Sequence, residues 1–254
     1  MKKIIAALII SLAIVLRFWD LGNNPPGVYV DEAVQGYNAY SLAETGKDEY
    51  GKSFPIYLKS FGTYPSALYS YLTTIPVKLF DLNAFSTRFI SALSGVLLVV
   101  AALKYLGFVE ALILTIAPIF VFTSRGAFEP NLALVIFMFG FFLSLKAKTN
   151  SKFLLPSFLL FSVSAYAYRA EQILSIIFIA HFSLLYWKKH KKQILIAAIL
   201  ALLVQIPLIQ TTLTPGGLAR SSGLIADTSL QQKLFLFVRH YLAYFSPENL
   251  FNKP

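Results

Sequence analysis

Two short stretches of this sequence hold acids at spacings suited to chemistry. The first runs Pro25-Pro26-Gly27-Val28-Tyr29-Val30-Asp31-Glu32, and its paired carboxylates precede a helix-like segment from Ala33 to Tyr40. Asp31 has two compatible readings there. Its carboxylate can cap the helix by accepting backbone N–H bonds, and a carboxylate so placed can also take a proton as a general base. The second stretch is Ser124-Arg125-Gly126-Ala127-Phe128-Glu129-Pro130-Asn131. Glu129 ahead of Pro130 suits a helix start, by the dipole and by the preference of proline for the first turn. Arg125 beside it reads as an interfacial anchor. Of the three histidines, His190 sits in a lysine run and His181 inside an apolar segment. Only His240, in Val238-Arg239-His240-Tyr241, lies on the outer side with the acids by the topology derived below, as a metal ligand or as a solvated or interfacial side chain. Arg169 and Glu171 stand close enough to pair at a helix start, and Asp48-Glu49 read as the tip of a charged loop. The chain has no cysteine, which excludes disulfides, thiolate metal sites and thiol nucleophiles.

The elements that must position these residues are built for lipid. Of 254 residues, 57% are hydrophobic and 13% charged, against about a quarter charged in a soluble domain. Apolar runs at roughly 4–19, 86–103, 109–123, 131–146, 153–168, 172–187 and 193–210 predict an all-α, polytopic transmembrane protein with about seven spanning helices. The formal charge of +10 is not a nucleic-acid signature, because the basic residues lie between apolar runs. Lys188-Lys189-His190-Lys191-Lys192 marks a cytoplasmic turn. Counting back by pairs of spans puts Lys146, Lys148, Lys152, Lys104, Lys2 and Lys3 on that same side, with Glu110 as the one acid among them. The remaining acids then face outward, and the N-terminus is cytoplasmic in a plasma-membrane protein. Met1-Lys2-Lys3 and the run after it read as an uncleaved anchor.

Parity also treats a further segment, Ser66 to Phe80. For the lysines to share one side, it must begin and end outside, as an interfacial or re-entrant helix. The whole of 1–254 then reads as a single transmembrane module, with a large first outer loop over about 20–85 containing interfacial helices and an outer C-terminal stretch over 211–254. Eight of the fourteen tyrosines fall in the first loop, where aromatics suit a membrane interface and also permit stacking on sugar faces. Two carboxylates and an arginine gathered near one interface are costly unless paired or functional.

The motifs taken in order resemble the C-type (GT-C) membrane glycosyltransferase superfamily, in its bacterial protein-mannosyltransferase and aminoarabinose-transferase-like branch. The resemblance is carried by a first helix ending in Arg17-Phe18, then Pro25 to Ala33, Ser60-Phe61-Gly62-Thr63-Tyr64-Pro65, Phe85-Ser86-Thr87-Arg88-Phe89, Ser124 to Asn131, and Tyr244-Phe245-Ser246-Pro247-Glu248-Asn249-Leu250-Phe251. It implies transfer of a sugar from a polyprenyl-phosphate-linked donor to a lipid, glycan or protein acceptor at the outer leaflet, by one inverting displacement. Asp31 and Glu129 match the two outer acids of the family, with Glu32 beside Asp31 as a further catalytic candidate. Asp31 would take the acceptor proton. Arg125, Lys59, Arg220 and Arg239, in that order, would meet the donor phosphate. Glu32, Glu129 and His240 would hold a divalent metal ion if one serves. Family members run longer, so a chain ending at Phe251-Asn252-Lys253-Pro254 reads as a C-terminally truncated member. Two other classes compete: a lipid or solute transporter, for which charged groups along helices would line a path, and a non-catalytic membrane subunit.

Overall fold

In lipid the backbone must satisfy its own N–H and C=O groups, so apolar runs become helices. The computed structural model describes residues 2–60, 64–214, 229–247 and 249. Its α-helices are α1 (Lys2–Phe18), α2 (Val30–Thr45), α3 (Leu68–Phe80), α4 (Ala84–Tyr105), α5 (Phe108–Ile116), α6 (Pro118–Arg125), α7 (Glu129–Ala147), α8 (Leu154–Ala167), α9 (Arg169–Thr212) and α10 (Leu230–Tyr244). Among the described residues there are two isolated antiparallel bridges, Lys47 with Ser53 and Tyr57 with Ser66, and no β-strand.

Length and apolarity qualify α4, α7 and α9 as membrane spans, and α5 with α6 as a fourth if the bent pair is one span. The seven expected from sequence are not reached by that measure. The shortfall has plain causes. Helix α1 has only 17 residues, as does the stretch Ser151–Ala167 that holds α8, and α9 counts once although it doubles back. Gln205 Nε2 lies 3.3 Å from Ser175 Oγ, although the two are thirty residues apart on α9. In a straight helix they would be separated by about 45 Å. The reversal occurs at His190, the one residue of α9 with non-helical dihedrals (φ −135°, ψ 35°), in the middle of the lysine run. Ile179, Phe182 and Tyr186 of the first arm pack with Ile194, Ala197 and Ala201 of the second, and Phe158 and Phe161 of α8 complete this core.

The helix pair α5–α6 bends by 58° at Ala117-Pro118. Pro118 has no N–H, so it cannot satisfy the Leu114 carbonyl one turn earlier. Arg17, 1% exposed at the end of α1, fills the gap: Nη2 donates to Leu114 O at 2.8 Å and Nη1 to Thr115 O at 3.3 Å. Gly95 on α4 makes room for this, since any side chain there would collide with Arg17 Nε and Ser124 Oγ.

The lysines collect at one end of the bundle. Lys189 Nζ donates to Lys148 O at 3.1 Å, and Lys104 and Lys146 both stand over the Tyr105 ring. Helix α1 packs through Ile9 and Ala13 against Val99 and Ala102, and its Phe18 meets Phe89, so it runs antiparallel to α4. Lys2 and Lys3 therefore start at the lysine end. Helices α2 and α3 pack on the opposite end. Tyr69 of α3 donates to Thr87 O at 2.9 Å, near the start of α4, and joins Leu132, Ala133 and Ala167 in one apolar cluster at the start of α7 and the end of α8.

Candidate functional site

At the start of α2, the cap is Tyr29 (φ −86°, ψ 170°), and Glu32 three residues on reaches back to Tyr29 N at 3.3 Å. Asp31 is therefore not the helix cap that its sequence position permits. The helix begins two residues earlier than a cap at Asp31 requires, and Glu32 is the side chain at the reach of a capping box. Asp31 sits in the first turn, exposed, and its carboxylate has no hydrogen-bond or ion-pair partner among the described residues.

Glu32 is the opposite case, 2% exposed and fully engaged. Its Oε1 accepts from Arg88 Nε at 2.8 Å and from the Ala127 N–H at 3.0 Å, and its Oε2 accepts from Arg88 Nη2 at 2.9 Å. Arg88, 0% exposed on α4, also donates to Leu21 O at 3.0 Å, to Pro25 O at 2.9 Å and to Gly27 O. The Arg88–Glu32 pair thus ties the Pro25-Pro26-Gly27 turn, the start of α2 and, through Glu32, the Gly126-Ala127 corner into a single frame. A bidentate arginine–carboxylate pair is the geometry that makes such a buried ion pair tolerable.

Glu129 stands where α7 begins, and its Oε1 accepts from Gln35 Nε2 at 2.8 Å. Ser70 of α3 fixes the Gln35 amide by donating to its Oε1, and to the Gln35 carbonyl at 3.0 Å. Asp31 and Gln35 are four residues apart and share one side of α2. The free carboxylate therefore lies one helical turn from the Gln35–Glu129 pair. Tyr29 reports the same gathering: burial, then the charges of Asp31, Glu129 and Glu32, push its phenol pKa well up. Its ring meets Phe128 at 5.7 Å.

The candidate phosphate partners part company. Arg125 donates to Leu16 O, Trp19 O and Asn24 O at 2.7–2.8 Å, tying the end of α1 to the turn that follows. Lys59 is exposed, with Nζ 4.9 Å over the Tyr50 ring. Arg220 lies outside the described residues. Arg239 and His240 are exposed on α10, and no hydrogen bond, ion pair or ring contact among the described residues joins them to the acids. No three His, Asp or Glu side chains among the described residues converge closely enough to hold a metal ion. Glu32, Glu129 and His240 are not brought together, and the Glu32 oxygens are taken by Arg88 and two backbone N–H groups. As placed, these three residues do not form a metal site.

Two cavities flank α2. One of about 310 Å³ is lined by Val30, Val34, Tyr37, Glu49, Tyr50 and Ser60, and a second of about 290 Å³ lies toward Leu82 and Thr87; they share Ala33 and Tyr37 as a wall. Of the two acids read as a charged loop tip, Asp48 is buried, while Glu49 is exposed but held by hydrogen bonds. Its carboxylate accepts from Asn38 Nδ2 at 3.0 Å and its N–H donates to Asn38 Oδ1 at 3.1 Å, while Asp48 Oδ1 accepts from Tyr50 N and Lys52 N. A third, apolar cavity of about 270 Å³ lies between Phe54, Leu68 and Tyr71 of the first loop and Val163, Tyr166 and Val204 of α8 and α9. Glu171, 8% exposed, makes no ion pair with Arg169, whose guanidinium instead stacks on Tyr57 at 4.8 Å. Sequence reasoning gave no role to Arg88, Gln35 or Tyr29. An arginine at the fifth residue of a largely apolar helix was the available signal for Arg88; Gln35 carries none.

The fold is similar to that of two solved structures. The particular structures it matches are of ArnT from Cupriavidus metallidurans. The apo form has a TM-score of 0.61 at 14% identity, over 88% of this chain and 44% of that one. The form bound to undecaprenyl phosphate has a TM-score of 0.59 at 14% identity, over 81% and 40%. The chain thus spans less than half the length of the structures it matches. No protein-family model matches it, and no curated protein matches it.

Proposed function

We propose that this protein is a membrane glycosyltransferase that moves a sugar from a polyprenyl-phosphate-linked donor to an acceptor hydroxyl, on the membrane face opposite the lysines. The lysine end is then cytoplasmic and the α2–α3 layer extracytoplasmic. The observation that carries the reading is Asp31. It is an exposed carboxylate without a partner, on a helix whose every other nearby acid is engaged, held in place by the Arg88 frame. Such a group keeps its oxygens open to an acceptor hydroxyl.

In the step proposed, the acceptor oxygen attacks the anomeric carbon as the bond from that carbon to the phosphate oxygen breaks. The configuration inverts, the acceptor proton passes to the Asp31 carboxylate, and the lipid phosphate leaves with the bonding electron pair. Glu129, held by Gln35, orients groups beside Asp31. The cavity of Tyr37, Tyr50, Glu49 and Ser60 offers ring faces and hydrogen-bonding groups suited to a sugar. Lys59 at its rim is better placed than Arg125 to meet the leaving phosphate, because Arg125 already serves three carbonyls. The apolar cavity near Tyr71 and Val204 suits part of a prenyl chain. The acceptor is a lipid, glycan or protein.

The test is to reconstitute the protein with polyprenyl-phosphate sugars in liposomes and follow the lipids by mass spectrometry. Sugar-bearing donor should fall as free polyprenyl phosphate rises. Donor that crosses the bilayer unchanged would make the protein a transporter, and donor that stays unchanged in place would make it a non-catalytic subunit.

A further inference from the structure

The lysine end carries a second convergence of unpartnered groups, apart from the machinery above. Tyr105, the last residue of α4, lays one ring face on Phe142 of α7, with centroids 4.3 Å apart and planes inclined by 11°. Two ammonium groups reach the same ring, Lys104 Nζ at 5.3 Å from its centroid and Lys146 Nζ at 5.0 Å. The negative face of an aromatic ring offsets part of their repulsion. It supplies no charge. Among the described residues, neither ammonium has a hydrogen bond or ion pair, and the Tyr105 hydroxyl has no partner. Glu110, the one acid in the expected lysine set, folds its carboxylate over Gly107 and forms no ion pair.

Two cations and a hydroxyl around one ring are the donors that a phosphate oxyanion takes. The surroundings decide its source. Leu106 and Leu145, the neighbours of Tyr105 and Lys146 in the chain, are 54% and 48% exposed. Apolar surface directly beside a phosphate-sized cationic group suits an acyl chain below a headgroup, whereas a free phosphate ion would leave it bare. We propose that Lys104, Lys146 and Tyr105 form a binding site for the phosphate of an anionic phospholipid headgroup in the leaflet at the lysine end. The site is independent of the sugar-transfer reading and lies at the other end of the bundle.

The test is native mass spectrometry of the detergent-solubilised full chain titrated with phosphatidylglycerol or phosphatidylcholine, alongside a thermal-shift arm with inorganic phosphate. At about 1 kcal/mol per lysine near a lipid surface, the double variant Lys104→Gln/Lys146→Gln should bind phosphatidylglycerol roughly 30-fold more weakly. Tyr105→Phe keeps the ring and should lose roughly threefold, the worth of one hydrogen bond. Lys3→Gln and Lys191→Gln, at the same end but with no ring contact, hydrogen bond or ion pair to Tyr105, Lys104 or Lys146 among the described residues, should stay within about twofold, since solvated charges without a direct contact are screened by salt. An unchanged double variant overturns the site. So do control variants that weaken as much, which would mean diffuse charge attraction, and inorganic phosphate that stabilises the protein as strongly as the lipid. If the double variant fails to fold, the single Lys104→Gln on its exposed side chain carries the same comparison.

Discussion

Replacing Arg88 with methionine should loosen the whole outer frame, because no other side chain supplies its donors. The substitution conserves bulk but strips two bonds from Glu32 and one each from the carbonyls of Leu21, Pro25 and Gly27. Both partners of the ion pair are essentially inaccessible, at 0% and 2% exposure, so the orphaned Glu32 charge cannot turn to water. Breaking one side of a buried pair costs about 3–5 kcal/mol. At roughly 2–4 °C per kcal/mol for a chain of this size, the melting temperature should fall by roughly 6–20 °C. Light scattering or intrinsic fluorescence of the detergent-solubilised protein reads the melting, and limited proteolysis between Asp20 and Val30 reads the loop itself. The double variant Arg88→Met/Glu32→Met should recover much of the loss, since it removes the stranded charge along with its partner. Melting of Arg88→Met within about 2 °C of the parent, under a kcal/mol by the same conversion, would refute the frame.

Arg17→Met should cost about 2 kcal/mol or more, since the buried carbonyls of Leu114 and Thr115 lose their donor at about 1–3 kcal/mol each, and Gly95→Ala should disturb the same contact by collision; thermal unfolding of both variants checks this. Gln35→Leu should release Glu129 and lower transfer while leaving melting within about 2 kcal/mol of the parent, because it removes only a few hydrogen bonds of about 1 kcal/mol each; paired activity and unfolding measurements separate the two effects. A cysteine at exposed Asn83 should react with a membrane-impermeant thiol reagent added outside intact cells, and one at exposed Thr149 should be protected. The reverse pattern would invert the proposed orientation.

Much of this architecture follows from local rules, and those parts were legible. The lysine run at 188–192 marks a reversal because five polar residues cannot sit between two apolar arms in lipid without leaving it, and α9 turns at His190. The run 109–123 looked like one span, yet Pro118 at its middle carried the signal for the 58° bend. What made that bend stable, Arg17, is about a hundred residues away in sequence and left no local trace. The site divides in the same way. The acids of α2 and the start of α7 stood out by type and spacing, whereas their sorting into one engaged and one unpartnered carboxylate depended on Arg88, 56 positions from Glu32. Asp31 was legible as a candidate cap because sequence alone fixes a helix start only to within one or two positions, and the shift of two puts Glu32 rather than Asp31 at the reach of the capping box.

The account turns on Asp31, and Asp31→Asn in the reconstituted transfer assay tests it most directly. Asparagine keeps the size and polarity of the side chain, and with no cap or ion pair to lose the variant should melt with the parent. Loss of a general base removes about 10²–10⁴ in rate, so transfer from the polyprenyl-phosphate sugar should fall at least a hundredfold with donor binding retained. A variant that keeps more than about a tenth of the parent rate would contradict the assignment of Asp31 as the base.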